Sequence, residues 1–371
     1  MVKQSWTRQK TWLLIILVVA GIGAMLFTSH NEQLYQRPIA KVTSEQTVAR
    51  RQTKDQFQNV DHQTDQRLTV TLMNGKYRGQ KLTVQNTYSD SQPMDQRFSV
   101  GDKLFLSQLH RQNGKLVANV NGYKRDTVIV FLSWLVILLL LLTMGKAGLL
   151  ALVSVVINAL LFLLAINIDL QQNGQHIILL FSILAIVFTF ISLLLVLGFS
   201  KRMLATFTAT VIGTFAAMGI SLVVFNLTHE RGVFYESMEY VTQVPRPLFL
   251  AETLLGSLGA VMDESSDIIA TLFELKRLNP QVTRKQLFMS GRTVGKSIMG
   301  PLVNVLFLIF MVDTFTGSLL YIKNGNSWGY TYAMNMSLGT VQSLISGIGI
   351  VLAIPLVSLL GALLLGRRGQ V

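Results

Sequence analysis

His176-Ile-Ile-Leu-Leu-Phe-Ser-Ile-Leu-Ala-Ile-Val-Phe-Thr-Phe-Ile-Ser-Leu-Leu-Leu-Val-Leu197 runs without a single Asp, Glu, Lys or Arg. A helix needs about 20 mostly apolar residues to cross roughly 30 Å of hydrocarbon, and this stretch meets that need alone. Working outward, similar runs are Trp12 to Phe27, Thr127 to Thr143, Ala147 to Ile166, Met203 to Phe225, Leu248 to about Ala270, Ile298 to Phe315 and Ser337 to Gly366. The expected fold class is therefore a membrane all-α protein of about eight transmembrane helices. The whole chain agrees: of 371 residues, 50% are hydrophobic and only 14% charged, a balance far from that of soluble domains.

The net charge of +13 takes its meaning from the side of the bilayer on which each cation lies. With the N-terminus inside, Lys3, Arg8, Lys10, Lys146, Lys201, Arg202, Lys276, Arg277, Arg284, Lys285, Arg292, Lys296, Arg367 and Arg368 are cytoplasmic. The short outer loops receive only Arg231, Arg246 and Lys323. Omitting the span that begins at Leu248 puts Arg367 and Arg368 outside, so it is kept. The first run ends Met-Leu-Phe-Thr-Ser-His without a small-x-small cleavage site, which favours an uncleaved anchor. Both termini are expected in the cytoplasm of a multi-pass cell-membrane protein.

Three segments follow: residues 1–28 as N-terminus and anchor, 29–126 as an extracytoplasmic domain, and 127–371 as a seven-helix membrane domain with a basic cytoplasmic loop near 271–297. Between Thr28 and Asp126 hydrophobic residues alternate with period two, the signature of strands. Asn74-Gly75 and Asn113-Gly114 are hairpin signals between Arg67 to Met73 and Lys81 to Gln85, and between Leu104 to Leu109 and Leu116 to Val120. With a strand near Ile39 to Thr43, this makes a β-rich domain of about five strands, similar in pattern to an OB-like barrel. Its fifteen Lys and Arg against nine Asp and Glu suit an anionic membrane surface. Its scattered aromatics do not form the stacking platform that single-stranded nucleic acid needs, so no nucleic acid is expected as a partner.

The Leu248 span carries Glu252, Asp263, Glu264 and Asp267. Ionised residues in hydrocarbon are costly and usually functional. Helical spacing puts Glu252, Asp263 and Asp267 on one stripe, with Glu264 about 100° away. Such hard oxygen ligands suit Mg²⁺, Mn²⁺, Ca²⁺ or protons. Alternatively, Asp263 and Asp267 lie near the cytoplasmic boundary, cap a short interfacial helix from Ile268 to Leu275 and pair with Lys276, Arg277 or Lys296.

Gly291 to Ser297 imitates a phosphate loop but has Ser290 where Walker A needs Gly, with no preceding strand; nucleotide binding is not expected. Gly291, Gly295, Gly300 and Gly347 instead suit close helix packing. Pro301 sits in the first turn of its span, Asn304 enters the membrane as a hydrogen-bonding or pathway residue, and Asp313 reads as interfacial. Cysteine is absent and the five histidines are dispersed. No triad, metalloprotease motif or cofactor fingerprint stands out, so the chain reads as a non-enzyme with no cofactor.

Leu258-Gly-Ala-Val-Met-Asp263, Glu274, Asn279-Pro280, Leu287-Phe288-Met-Ser290-Gly291, Gly295, Ile298-Met299-Gly300 and Asn304 resemble the signature of the YibE/F-like membrane proteins. The resemblance covers about residues 30 to 366. The polar domain after the first helix is similar to the longer, YibE-type member, and the sequence departs from the pattern at Lys296-Ser297 and Val305. The resemblance implies a permease-like architecture and a YibF-type companion. The leading expectation is a transporter or permease component whose pathway uses Glu252, Asp263, Glu264, Asp267 and Asn304; the competing one is an envelope scaffold acting through the β-domain. Partners on either reading are the lipid bilayer and a companion chain or a second copy.

Overall fold

The computed structural model describes residues 8–56, 58–92, 95–107, 109–112, 115–172, 174–238 and 244–365. Lys3, the Asn113-Gly114 turn, Arg367 and Arg368 lie outside the described residues. The chain divides into two compact units, Met1–Gly148 and Leu149–Val371.

In the first unit α1 (Arg8–Ser29) leads into β1 (Ile39–Lys54), β2 (Val60–Leu72), β3 (Lys81–Ser89), β4 (Lys103–Leu106), β5 (His110–Gln112), β6 (Lys115–Val117) and β7 (Val120–Tyr123), and α2 (Asp126–Met144) follows. The antiparallel order β3-β2-β1-β4-β7 forms one sheet, and β5 and β6 form a separate hairpin. The alternation puts Val42, Leu68, Val70, Leu82, Val84, Phe98, Leu104 and Leu106 into one core. The edge strands β3 and β7 return into contact, though no ladder joins them among the described residues. The run expected from Leu104 to Leu109 divides: β4 ends at Leu106 and β5 begins at His110. Asn74 does more than turn the chain. It is buried, accepts from the Ile39 N–H at 2.7 Å and donates to the carbonyls of Tyr35 and Arg37, both at 2.9 Å.

Charged side chains tie this sheet to α1 and α2. Asp126 accepts from Lys124 Nζ at 2.8 Å, Tyr35 OH at 3.0 Å and Asn31 Nδ2 at 3.1 Å. Lys103 donates to Glu32 and to the Ser29 carbonyl, and Lys124 to the Thr28 carbonyl. Burial raises the Glu32 carboxyl, but the Lys103 hydrogen bond and charge outweigh it and hold the group below its ordinary range. Deeper along α1, Trp134 Nε1 donates to the Leu17 carbonyl at 2.8 Å, directly over Gly21, where any Cβ would meet the indole.

The second unit contains α3 (Lys146–Gln171) from Leu149 onward, α4 (Ile177–Leu197), α5 (Lys201–Thr228), α6 (Pro245–Leu278), α7 (Arg284–Lys323), α8 (Trp328–Thr331) and α9 (Ser337–Leu365), with a π-helical turn at Tyr332–Met336. Six helical stretches among the described residues are long and apolar enough to cross a membrane: α2, α3, α4, α5, α7 and the continuous Trp328–Leu365. The other two expected spans fall short of that standard. The described apolar part of α1 is Leu14–Ser29, and α6 carries the acids.

Two local expectations are corrected. Most of the expected loop at 271–297 is helix. α6 runs unbroken to Leu278, where Asn279-Pro280 stops it, so no separate interfacial helix spans Ile268 to Leu275. α7 begins at Arg284 because Thr283 and Gln286 form a capping box, the Thr283 hydroxyl accepting from Gln286 N and the Gln286 side-chain Oε1 from Thr283 N. Pro301 consequently lies well inside α7, where its missing N–H leaves a gap in the ladder.

Candidate functional site

α6 has two faces. Apolar and small residues at helical spacing (Leu254, Ser257, Leu258, Val261, Ile268 and Leu272) are buried, and Glu252, Gly256, Gly259, Asp263 and Asp267 are exposed. Glycines on the neighbouring helices admit the buried face. A Cβ on Gly213 of α5 would lie 3.2 Å from Val261 Cγ1, and on Gly349 of α9 2.7 Å from Val261 Cγ2. A Cβ on Gly361 of α9 would lie 2.5 Å from Leu272 Cδ1.

Those approaches fix the register. Along α9, Gly349 and then Gly361 meet Val261 and then Leu272, so α9 runs parallel to α6; Gly213 faces Ala353 and Ala217 faces Gly349, so α5 is antiparallel to both. One turn beyond Val261 on the buried face comes Glu264. One turn before Gly213 on α5 comes Thr210, at the same level.

Glu264 is 0% exposed, and neither carboxylate oxygen has a hydrogen-bond partner among the described residues. The hydroxyls of Thr210, Thr214, Thr253 and Ser265 are likewise buried without partners. Thr206, Thr210 and Thr214 recur every four residues along α5, so they form one stripe toward this seam. Buried polar groups are normally hydrogen-bonded. A buried, unpartnered carboxylate on the same seam as unsatisfied hydroxyls, with Ser265 next to it in the chain and Thr210 level with it on α5, is an arrangement whose missing partner is a proton, an ion or water.

A cavity of about 1070 Å³ opens between α6, α7 and α9 and the π-helical turn. Glu252, Asp313, Asn335, Gln342, Ser343 and Ser346 supply its polar lining. The extra residue of the π-helical turn turns Asn335 toward α7, where its amide donates to the Thr314 carbonyl and the Ser318 hydroxyl, both at 2.8 Å. A Cβ on Gly317 would collide with Asn335, and one on Gly339 with the Phe310 ring; these two glycines let the helices close around the cavity. Gly256 on its wall is eight residues from Glu264, about 12 Å along α6.

The predicted site residues thus separate. Glu252 faces the cavity, Glu264 is the buried acid of the seam, and Asp263 and Asp267 lie on the exposed face with no ion pair or side-chain hydrogen bond among the described residues. Among the described residues they do not pair with Lys276, Arg277 or Lys296: Arg277 binds Glu274, and Lys276 donates to the Pro280 carbonyl. Asn304 is exposed and is not among the cavity's lining residues. No group of three or more His, Asp or Glu is arranged to hold a metal among the described residues. Gly291 and Gly295 bring α7 onto α9, where a Cβ would lie 2.5 Å from Ser358 Oγ and 2.6 Å from Ile354 Cγ2 respectively. Gly300 and Gly347 have open space.

Charge alone singles out the Glu252–Asp263–Asp267 stripe in the sequence; the apolar period marks the opposite face as the buried one, and Glu264 lies within it. Asp313, Asn335 and Gln342 come from helices distant in sequence, so no local pattern joins them to Glu252.

Residues 132–367 match the family described as YibE/F-like protein, and residues 33–123 match the YibE/F family N-terminal domain. No curated protein and no solved structure matches the chain.

Proposed function

The chain belongs to the YibE/F-like family, and from that premise we propose that it is a multi-pass cell-membrane protein acting as a transporter or permease component. The observation that carries this reading is Glu264, fully buried and without a hydrogen-bond partner among the described residues. Such a group is costly inside a helical membrane bundle and marks a path for ions or protons. The cavity at Glu252 supplies a vestibule, and the seam around Glu264 the step beyond it.

Eight spans, with α1 and α6 counted beside the six apolar stretches, keep most of the short-loop cations on one side, with Arg231, Arg246 and Lys323 the exceptions. This puts both termini in the cytoplasm and the β-domain outside. Contact between its edge strands supports an OB-like barrel. A YibF-type companion, or a second copy, is the partner this family reading proposes. Reporter fusions at Asp61 should read outside, and at Lys201 and Gln281 inside; an outside signal at Gln281 overturns the eight-span count.

The functional test uses the full-length protein. In reconstituted vesicles an imposed pH gradient should dissipate faster with wild type than with Glu264→Gln, and a cation panel should stabilise wild type against heat but not the variant. Equal behaviour of the two proteins in both assays would remove Glu264 and the permease reading with it.

A further inference from the structure

We infer that the cavity between α6, α7 and α9 binds an organic cation with an apolar body. This names a substrate class for the proposed permease and rests on that reading for its biological meaning. Glu252 and Asp313 both line the cavity, and neither has an ion pair or hydrogen bond among the described residues. No Lys, Arg or His is among the described lining residues, so two negative charges enter one concave space uncompensated. Ser343 and Ser346 provide a second observation. They are 7% and 4% exposed, they line the same cavity, and neither hydroxyl has a hydrogen-bond partner among the described residues. Both hydroxyls are offered to the cavity, where water or a ligand would satisfy them.

The shape selects among cations. A bare divalent ion needs six or more oxygens converging at 2.0–2.6 Å, and no metal-holding cluster of three acids or histidines exists among the described residues. At about 1070 Å³ the space is at the upper end for small-molecule sites, roughly 300–1,000 Å³. Phe249, Leu306, Ile309, Phe310 and Leu338 form its apolar walls. Carboxylates among aromatic and aliphatic walls match a positive head on a hydrophobic body, with the Gln342 amide and the two serines left to bind polar substituents.

Equilibrium dialysis of the purified full-length protein against tetraphenylphosphonium and against neutral triphenylphosphine oxide tests this. Wild type should prefer the cation. Glu252→Gln with Asp313→Asn should weaken cation binding about tenfold and leave the neutral compound within about twofold, because both acids are exposed and neither supports the fold. Ser346→Leu, which fills part of the cavity, should weaken both compounds. Equal affinity for the two compounds, or a cation affinity unmoved by the acid pair, overturns the inference. The assay does not pass through transport. A null here with Glu264-dependent flux intact removes the cavity's ligand class and leaves the permease reading; charge-selective binding with flux indifferent to Glu264 supports the ligand class and removes that reading.

Discussion

Replacing Glu264 by Met should make the protein more stable. The wild-type side chain buries two carboxylate oxygens without partners among the described residues, and an unsatisfied buried polar atom costs about 1–3 kcal/mol. Met is unbranched, close in volume and able to adapt to an irregular gap. Relief of the polar cost should exceed any repacking loss, for a net gain of about 2 kcal/mol, or roughly 2–3 °C in melting temperature for a chain of this length. Glu264→Gln keeps a polar head and should shift the midpoint far less. The assay is thermal unfolding of the full-length protein in one detergent at neutral pH, followed by tryptophan fluorescence. If Glu264 had a hidden partner, its removal would leave a buried charge and cost about 3–5 kcal/mol. A Met variant that melts well below wild type therefore refutes the unpartnered reading. The expected pairing of higher stability with lost flux is the trade that functional groups usually show.

The glycines offer a comparison within one molecule. Gly291→Ala and Gly295→Ala should each destabilise by about 1–3 kcal/mol, because the new methyl overlaps Ser358 or Ile354, whereas Gly300→Ala and Gly347→Ala, facing open space, should not; melting midpoints of all four decide it. The ion pair of Glu32 with Lys103 makes the first unit acid-sensitive. The folded-state group titrates below its ordinary value, so its contribution is complete above that value, near 4.5, and is lost as pH falls through the folded one. Hydrogen exchange of the β1–β4 amides should accelerate across that window in wild type, and the step should shrink in Lys103→Met; an unchanged step assigns the sensitivity to other acids.

Much of this architecture is local and therefore legible in the sequence. Apolar runs such as Ile177–Leu197 become helices because a backbone in hydrocarbon must satisfy its own hydrogen bonds, and the alternation in Leu68, Val70 and Leu72 becomes a strand because one face of a sheet must be buried. The acids of α6 were equally visible, and so was their helical phase. What the sequence by itself did not determine was which of them is dry. That depends on Gly213 of α5 and on Gly349 and Gly361 of α9 drawing three helices onto one face, a choice made by side-chain volume between segments far apart in the chain. The same packing moved Gly291 and Gly295 from surfaces open to other chains into internal contacts. It also assembled Glu252, Asp313, Asn335 and Gln342 around one cavity. Helical phase is written within each segment, but burial is a property of pairs of segments, and only the tertiary structure decides which pairs meet.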